Sequence, residues 1–461
     1  MSQDQAKRLP ASALVMGGGV AGVAAALRLA DAGVRVILVE MRPRLGGRAT
    51  SMPDPATGEL LDNCQHVVMR CCTAITELYE QLGVADRIEW HRRFYFVHGD
   101  GTRAELAASG LPVPLHFAPA FMRFRGLTWG DKWAIARAMR AIRAVPLARR
   151  NALNAISFAE WLKQQRQPAR AVERFWEVTV VSACNQTLDR CAAGYALQVF
   201  QEGFLASRSG YEMGLSRVPL AELYGPAERR IAAAGGGIET AGVKGLDYDA
   251  GRRRVTAVRL NDGRRLEAAA YVSALPFEAL DRMAGPAMKA DDPRLQRLGE
   301  LNTSPIVGLH LWVRSPKHTV TTTLPHVVLT GSPIQWFFNR GWEDGRDAQH
   351  LHGVVSAAHD LLDKPNAEIL DLAVGELRRF VPGGGDAELI EGRVVKERRA
   401  TFSCEPGVDA LRPPVAGAIG NLWLAGDWTA TGWPATMEGA ARSGFAAADE
   451  MMSAANDGTP G

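Results

Sequence analysis

The 461-residue sequence lacks the features that mark secreted, membrane-spanning or nucleic-acid-binding proteins. Its six cysteines show no small-domain disulfide framework in a chain of this length, so we expect reduced thiols. The 53 basic and 50 acidic residues leave a net charge of only +3, which provides no general attraction for nucleic acid. No apolar signal core follows the N-terminus, and no uninterrupted run of about 18 apolar residues occurs. These absences predict a cytoplasmic protein, either soluble or bound to a membrane surface.

A nucleotide-binding pattern lies at the front of the chain. Residues 12–40 are predicted to form a buried strand, a glycine-rich turn, a helix ended by Gly33 and a second buried strand. In such a unit the glycines allow a tight turn and close approach to a pyrophosphate, and the helix N-terminus attracts the phosphates. The carboxylate at the end of the second strand suits an adenosine ribose and would repel a 2′-phosphate. The alternative is a glycine turn without a ligand. The predicted cofactor-binding residues are Gly17, Gly19, Val20, Ala21, Gly22 and Glu40.

A second glycine pair with flanking arginines follows directly, in the stretch MRPRLGGRATS. It offers another close backbone approach and positive charge for a diphosphate, although alone it could be a basic surface loop. With the first pattern, it resembles the flavin-dependent amine oxidase and phytoene desaturase superfamily, in which both segments bind FAD. The resemblance implies cofactor contacts from Met41, Arg42, Arg44, Gly46, Gly47 and Arg48.

Two later segments complete the resemblance. NLWLAGDWTATGWPATMEG resembles the superfamily's C-terminal flavin-binding strand and helix, which implies cofactor contacts from Gly426, Asp427, Thr436 and Met437. Residues 235–276 alternate like short antiparallel strands and resemble its β-meander, which implies an adenine contact at Val243. The fold class is therefore predicted to be mixed α/β, with a Rossmann-type FAD-binding domain of the glutathione reductase type and an interleaved substrate domain. The FAD domain would comprise 1–70, 215–285 and 410–461, and the substrate domain 71–214 and 286–409.

Segment 111–150 of the substrate domain combines apolar loops with a basic helix. Residues Arg123 to Arg150 contain eight basic side chains and one acidic one. Thr128 and Asp131 have capping-box spacing. Along the predicted helix, Ile135, Met139, Ile142 and Val145 share one face and Lys132, Arg137, Arg140 and Arg143 share the other. The pattern indicates either a peripheral membrane element, which would place the protein at the inner face of the cell membrane, or a surface helix packed on its own domain.

The stretch LDNCQHVV, residues 61–68, carries the candidate catalytic groups. A thiol–imidazole pair at Cys64 and His66 is feasible on one strand face, but no second ligand pair supports a metal site, and no metal is predicted. In the superfamily this strand passes near the flavin ring. We therefore interpret Asp62 and His66 as candidate general acids and Gln65 as a polar orienting group. The alternative is that they only hydrogen-bond the cofactor and the backbone.

Within this superfamily, the sequence resembles the bacterial hydroxysqualene dehydroxylases, a branch of the phytoene desaturase group. The stretches that carry this resemblance are LDNCQHVVMRCC, PLAELYGPA and GWPATMEGAARSG. Cys64 stands where that pattern has glycine. The resemblance implies that a hydride from N5 of reduced FAD replaces the hydroxyl of a hydrophobic C30 isoprenoid, giving squalene for hopanoid synthesis. Two alternatives stay open: a carotenoid or phytoene desaturase that oxidises a polyisoprene, and a non-catalytic prenyl-lipid carrier like the Rab dissociation inhibitors.

Overall fold

The computed structural model describes residues 9–55, 57–316 and 321–456. The predicted domain pieces 1–70 and 410–461 therefore extend at their outer ends beyond the described residues. The strands are β1 (Ser12–Met16), β2 (Arg35–Glu40), β3 (Ser51–Pro53), β4 (Leu60–Asp62), β5 (Val67–Met69), β6 (Ile88–His91), β7 (Phe94–His98), β8 (Arg103–Leu106), β9 (Met213–Ser216), β10 (Gly237–Thr240), β11 (Val243–Asp249), β12 (Arg254–Leu260), β13 (Arg265–Leu266), β14 (Ala270–Ser273), β15 (Thr303–Arg314), β16 (His326–Thr330), β17 (Trp336–Glu343), β18 (Ala348–Ser356), β19 (Glu388–Phe402) and β20 (Leu422–Leu424).

The helices are α1 (Val20–Asp31), α2 (Thr73–Leu82), α3 (Ala118–Arg123), α4 (Trp129–Ala144), α5 (Leu147–Arg150), α6 (Phe158–Gln164), α7 (Ala169–Ala171), α8 (Val178–Cys184), α9 (Ala193–Gln198), α10 (Leu220–Tyr224), α11 (Pro226–Ala233), α12 (Phe277–Met283), α13 (Pro286–Asp291), α14 (Asn366–Phe380) and α15 (Met437–Asn456). Two π-helical turns, Val172–Glu177 and Val199–Leu205, adjoin α7 and α9.

A five-stranded parallel sheet in the order β10-β2-β1-β14-β20 forms the nucleotide-binding part. Four of the five residues of β1 are fully buried, as expected for a parallel strand covered on both faces. Helices α1 and α15 pack against each other, and a Cβ at Gly444 would lie 2.2 Å from the backbone oxygen of Ala21. The predicted Rossmann-type α/β fold is confirmed, and the sheet draws its strands from all three segments assigned to the FAD domain.

The prediction of antiparallel strands throughout residues 235–276 was wrong at both ends. β10 and β14 are parallel members of the five-stranded sheet, and only β11, β12 and β13 form an antiparallel unit. Alternation alone does not distinguish these cases, because partner strands far away in sequence decide the pairing. The boundary at 214/215 also cuts through β9, which pairs with both β5 and β6. The remaining domain boundaries stay predictions.

The second part of the structure, beside the nucleotide-binding part, is built on a seven-stranded sheet in the order β19-β15-β18-β17-β16-β7-β8. Helix α14 covers one face, where Ile369 and Leu377 share a core with Leu309 and Leu311 of β15. The opposite face turns toward the stretch 61–66, because Nε2 of His310 donates a hydrogen bond to the backbone oxygen of Asp62 at 3.0 Å. Two faces with different coverings follow from the alternation of side chains along each strand.

Segment 111–150 contains α3, α4 and α5, and the predicted capping box is confirmed. Thr128 accepts a hydrogen bond from the Asp131 backbone N–H, and the Asp131 carboxylate accepts one from the Thr128 N–H. Ile135 and Ile142 are buried against the protein. The assignment of Lys132 to the exposed basic face was wrong: it is buried, and its Nζ donates to a backbone oxygen of α3 at 2.7 Å. None of the helices in the described residues is long and apolar enough to cross a membrane.

Exposed apolar side chains nevertheless concentrate on this segment. In the described part of the chain nine large apolar residues are exposed, and six of them lie between 111 and 150. These six are Leu111, Leu115, Met122, Trp129, Trp133 and Leu147. The apolar surface of the segment is therefore made by α3, α5, the turn before α3 and the N-terminal part of α4, because Ile135 and Ile142 of the α4 stripe are already buried.

Candidate functional site

The glycine turn between β1 and α1 is as tight as the sequence predicts. Gly17 has a φ of +99°, which favours glycine. A Cβ at Gly22 would lie 1.8 Å from the backbone oxygen of Gly17, so the first turn of α1 packs directly on the loop. The N-cap residue Gly19 provides no side-chain cap, which leaves the N–H groups around Val20 and Ala21 for a ligand. The geometry suits a phosphate.

The carboxylate of Glu40 is buried at the end of β2 and aligned by the backbone. Oε2 accepts a hydrogen bond from the Gly18 N–H at 2.7 Å, and Oε1 accepts one from the Arg42 N–H at 2.9 Å. Met41, between them in sequence, is 69% exposed. Each carboxylate oxygen can accept a further hydrogen bond, so Glu40 can still bind a ribose hydroxyl.

The second glycine pair lies against the first turn. The Gly46 N–H donates to the Gly18 oxygen at 2.8 Å, and a Cβ at Gly47 would lie 2.9 Å from the Cα of Gly19. This contact brings the partly exposed Arg44 beside the glycine turn. The two predicted diphosphate-binding segments therefore meet in one place.

An ion pair joins the front of the chain to its C-terminal part. Nη2 of Arg48 lies 2.8 Å from Oδ1 of the buried Asp427. The Asp427 charge is the main reason that the pKa of Arg48 is raised. The preceding Gly426 has a φ of +146°, and its N–H donates to Ser443 on α15 at 2.8 Å. The strand–turn–helix unit near residue 427 thus lies beside the arginine of the second segment.

The glycine turn, the second glycine pair and the Arg48–Asp427 ion pair form what we call the cradle. Three other predicted cofactor residues are Thr436, Met437 and Val243. Thr436 accepts a hydrogen bond from the Gly439 N–H at 3.1 Å, so its hydroxyl caps α15. The sulfur of Met437 lies 3.8 Å from the hydroxyl of Tyr224. Val243 is the first residue of β11, shortly after β10 pairs with the end of β2. Their contacts with a cofactor stay predictions.

Asp62 and His66 in the stretch 61–66 already have structural partners. Oδ1 of Asp62 accepts hydrogen bonds from the Ser51 hydroxyl at 2.7 Å and from the Leu220 N–H at 2.9 Å, at the start of α10. Nδ1 of His66 donates to a backbone oxygen at 2.8 Å, which leaves its Nε2 as an acceptor. Burial lowers the pKa of His66 and favours the neutral ring.

Cys64 and Gln65 of this stretch are also buried. Burial raises the pKa of the Cys64 thiol to about 12, so it is protonated and a poor nucleophile. Oε1 of Gln65 is buried and has no hydrogen-bond partner among the described residues, as expected for a group that awaits a ligand. No group of three or more potential metal ligands occurs in the described part of the chain. The cradle and this orphaned oxygen together fit a dinucleotide flavin.

Comparison with known proteins assigns the chain to a family. The family model for flavin-containing amine oxidoreductases matches residues 20–452. The chain belongs to this family. It is an FAD-dependent oxidoreductase, which excludes a carrier without redox chemistry.

Named relatives span nearly the whole chain. A 15-cis-phytoene desaturase from Synechococcus elongatus is 26% identical over 95% of both chains. A hydroxysqualene dehydroxylase from Rhodopseudomonas palustris is 28% identical and covers 95% of this chain and 98% of its own. A triple mutant of putrescine oxidase superposes with a TM-score of 0.73 at 18% identity, covering 96% of this chain and 99% of its own. The cyclohexylamine oxidase of Brevibacterium oxydans gives 0.66 at 20% identity, with 96% and 99% coverage. These two structures support the fold alone.

Sequence reasoning missed a cluster of histidines in this flavoenzyme. The cluster lies on the sheet face that is turned toward residues 61–66, and it consists of His310 on β15 and His350 and His352 on β18. They line a cavity of about 220 Å³ together with Asp62 and Arg340. The available signal was the pair HLH at 350–352, since residues two apart on a strand share a face.

A buried arginine was also missed. The side chain of Arg412 is 1% exposed. Its Nη2 donates to the backbone oxygens of Asp427 and Thr429 and to Oγ1 of Thr431, and its Nη1 donates to the hydroxyl of Tyr195. The turn that follows the buried strand β20 is thus attached to α9 of the second part. No sequence motif marked this residue.

Proposed function

We propose that the protein reductively removes the hydroxyl group of hydroxysqualene, a C30 isoprenoid alcohol, to give squalene for hopanoid synthesis. The observation that carries the proposal is the uneven lining of one sheet face. Its β7–β16–β17 side carries mostly buried rings: Trp336 stacks on Phe338 at 5.4 Å, and Phe94 and His326 lie 6.1 and 5.8 Å from Trp336. Its β15–β18 side carries the histidine-lined cavity. A wall of this kind suits a hydrocarbon that carries one oxygen.

The reaction determines what the residues must do. When bound, reduced FAD supplies a hydride from N5. The protein must hold the isoprenoid carbon within about 3–3.5 Å of the donor, exclude water and protonate the departing oxygen. Gly17, Gly22 and Glu40 would hold the nucleotide end, and Arg48 with Asp427 would hold the diphosphate and ribityl part.

A second candidate is desaturation of phytoene or a related polyisoprene. It is favoured by the 26% identity with the Synechococcus elongatus desaturase over 95% of this chain. A desaturase substrate is a pure hydrocarbon and gives no reason for a polar cavity on the substrate wall. The histidine-lined side therefore favours the oxygenated substrate.

Anaerobic turnover separates the two candidates. The flavin of the purified protein is reduced with dithionite, excess reductant is removed, and hydroxysqualene or phytoene is added. Dehydroxylation predicts reoxidation of the flavin and one squalene per flavin with hydroxysqualene alone. Reduced flavin that stays reduced, with no squalene formed, would exclude the proposal, and oxidation of phytoene by the oxidised enzyme would establish the alternative.

We also propose that segment 111–150 binds the inner face of the cell membrane. The support is its six exposed apolar side chains beside exposed Arg137, Arg140 and Arg143. Apolar groups that enter the lipid boundary and cations that attract anionic headgroups act together in such elements. A substrate dissolved in the bilayer would then reach the enzyme without crossing water.

A further inference from the structure

The three histidines of the substrate wall form one stacked and hydrogen-bonded array. The rings of His310 and His352 stack with centroids 4.1 Å apart, and His350 stacks on Trp312 at 4.5 Å. Nδ1 of His310 lies 3.0 Å from Nε2 of His350. Nδ1 of His350 lies 3.1 Å from Oε1 of Glu343. The array therefore runs from a carboxylate at the cavity edge to the buried backbone of Asp62.

The hydrogen-bond partners determine how many protons the array holds. The Asp62 carbonyl can only accept, so Nε2 of His310 carries a proton. The ionised Glu343 carboxylate can only accept, so Nδ1 of His350 carries another. The contact between the two rings needs a third proton. Two neutral imidazoles carry only two protons, so the pair His310–His350 holds one excess proton and a positive charge.

Both ring nitrogens of His350 face acceptors, Oε1 of Glu343 and Nδ1 of His310. Burial and the neighbouring His350 lower the pKa of His310 to about 4, which favours a neutral ring there. Burial opposes ionisation of Glu343, but hydrogen bonds from His350, Trp312 and Arg346 outweigh it and lower its pKa to about 2. His350 therefore lies between the Glu343 carboxylate and the acceptor nitrogen of the neutral His310 ring. The charged or titratable groups around it are Glu343 and Arg340 of β17, Arg346 after β17, His310 of β15, His352 of β18, Asp62 and Glu59 of the cavity wall, and Glu391 of β19, which pairs with Arg346.

The stretch 61–66 does not offer a comparable proton. The Asp62 carboxylate accepts two hydrogen bonds and lies 3.8 Å from Arg340, and His66 presents an acceptor nitrogen. His350, in contrast, faces an acceptor at each ring nitrogen and lines the cavity. His352 lines the same cavity, and its Nε2 is buried without a hydrogen-bond partner among the described residues.

We propose that His350 is the catalytic proton donor to the oxygen that leaves the substrate, with His310 and Glu343 as positioning residues. This role rests on the proposed dehydroxylation. The C–O bond breaks with its electron pair on oxygen, and the oxygen takes the His350 proton and departs as water; reduced FAD, when bound, would supply the hydride that the carbon needs. The carbon gains two electrons and the flavin loses two, so one reduced flavin is consumed per hydroxyl removed. Solvent then returns a proton to His350.

The test combines NMR with pH-dependent kinetics on the FAD-loaded full chain. Nitrogen-15 labelling of the histidines is expected to show one doubly protonated ring at pH 7.5 that is absent in His350→Gln. The same variant is expected to lower kcat at least tenfold without a matching change in KM, and to lose the basic limb of the kcat profile. In Glu343→Gln the basic limb moves to lower pH, because the counter-ion of the acid is gone. His359→Gln, in a short turn away from the array, is the matched control and keeps both kcat and the limb.

The results distinguish failure of the donor role of His350 from failure of the proposed dehydroxylation. Wild-type turnover with an unaffected His350→Gln profile would overturn the donor role and leave the proposed function standing. A neutral His350 ring in the NMR spectrum would do the same. Absence of squalene from the wild-type enzyme would overturn both. Flavin content and thermal unfolding of each variant show whether it is folded, and Glu343→Gln, which keeps the His350 ring, supplies the result if His350→Gln does not fold.

Discussion

Replacing Gly22 by alanine tests whether the glycine turn is built for a diphosphate. The added Cβ would lie 1.8 Å from the Gly17 oxygen and 3.2 Å from the Cβ of Ala274. A carbon–oxygen contact needs about 3.3 Å, so the first turn of α1 must move by about 1.5 Å. The N–H groups at that turn would then miss the phosphate oxygens. We expect FAD affinity to fall about 100-fold, or about 2.8 kcal/mol, while overpacking costs about 1–3 kcal/mol of folding stability.

The assay is fluorescence titration of the apoprotein with FAD, with circular dichroism and thermal unfolding as checks of the fold. Gly375→Ala is the matched control, because this glycine also lies within a helix and a Cβ there would meet nothing within 4 Å. The control is expected to bind FAD normally and to be slightly stabilised. An alanine at position 22 that leaves FAD affinity unchanged would refute the cradle as the phosphate site.

Three further predictions concern other parts of the molecule. Arg412→Leu is expected to lower the free energy of unfolding by about 3 kcal/mol in denaturant titration, because two buried carbonyls each lose a donor worth about 1–3 kcal/mol; an unchanged midpoint would contradict this. Burial and the nearby His91 lower the pKa of His326 to about 3 from 6.5, so the unfolded chain binds the extra proton and stability falls as pH falls below 6.5. Between pH 6.5 and 5 this loss is about 2 kcal/mol, and His326→Phe should remove it from the pH dependence of unfolding. The double variant Trp129→Ala/Trp133→Ala should lose sedimentation with phosphatidylglycerol vesicles, whereas Ile390→Ala, another exposed apolar residue, should not; equal binding of all three proteins would contradict the membrane proposal.

The parts of the fold that sequence predicted well are those determined by local pattern. The glycine turn, α1 and the buried strands β1 and β2 follow from spacing and apolar runs within about 30 residues. The pairing of β10 and β14 with this unit depends on contacts 200 or more residues away in sequence, so their alternation did not indicate the parallel pairing. The local sequence pattern does not indicate which distant strands will pair.

The same limit explains the candidate acid. The sequence predicts Asp62 and His66 as candidate acids because these two titratable groups lie close together. The fold uses Asp62 as an acceptor for the start of α10, over a sequence separation of 158 residues. The proposed donor, His350, lies on β18, 40 residues from His310 of β15 in sequence and hydrogen-bonded to it in space. Only the register of β15 with β18 brings these rings together, because it places His352 opposite His310 and His350 two residues along the same face.

That register also accounts for the polarity of the cavity lined by His310, His350 and His352. Gly308, on the same face of β15, keeps the sheet close to the stretch 61–66: a Cβ there would lie 3.1 Å from the sulfur of Cys64 and 3.3 Å from Nε2 of His352. A larger residue would push the histidines away from that stretch. The close approach encloses the array, and enclosure strengthens the interaction of a charge with its neighbours.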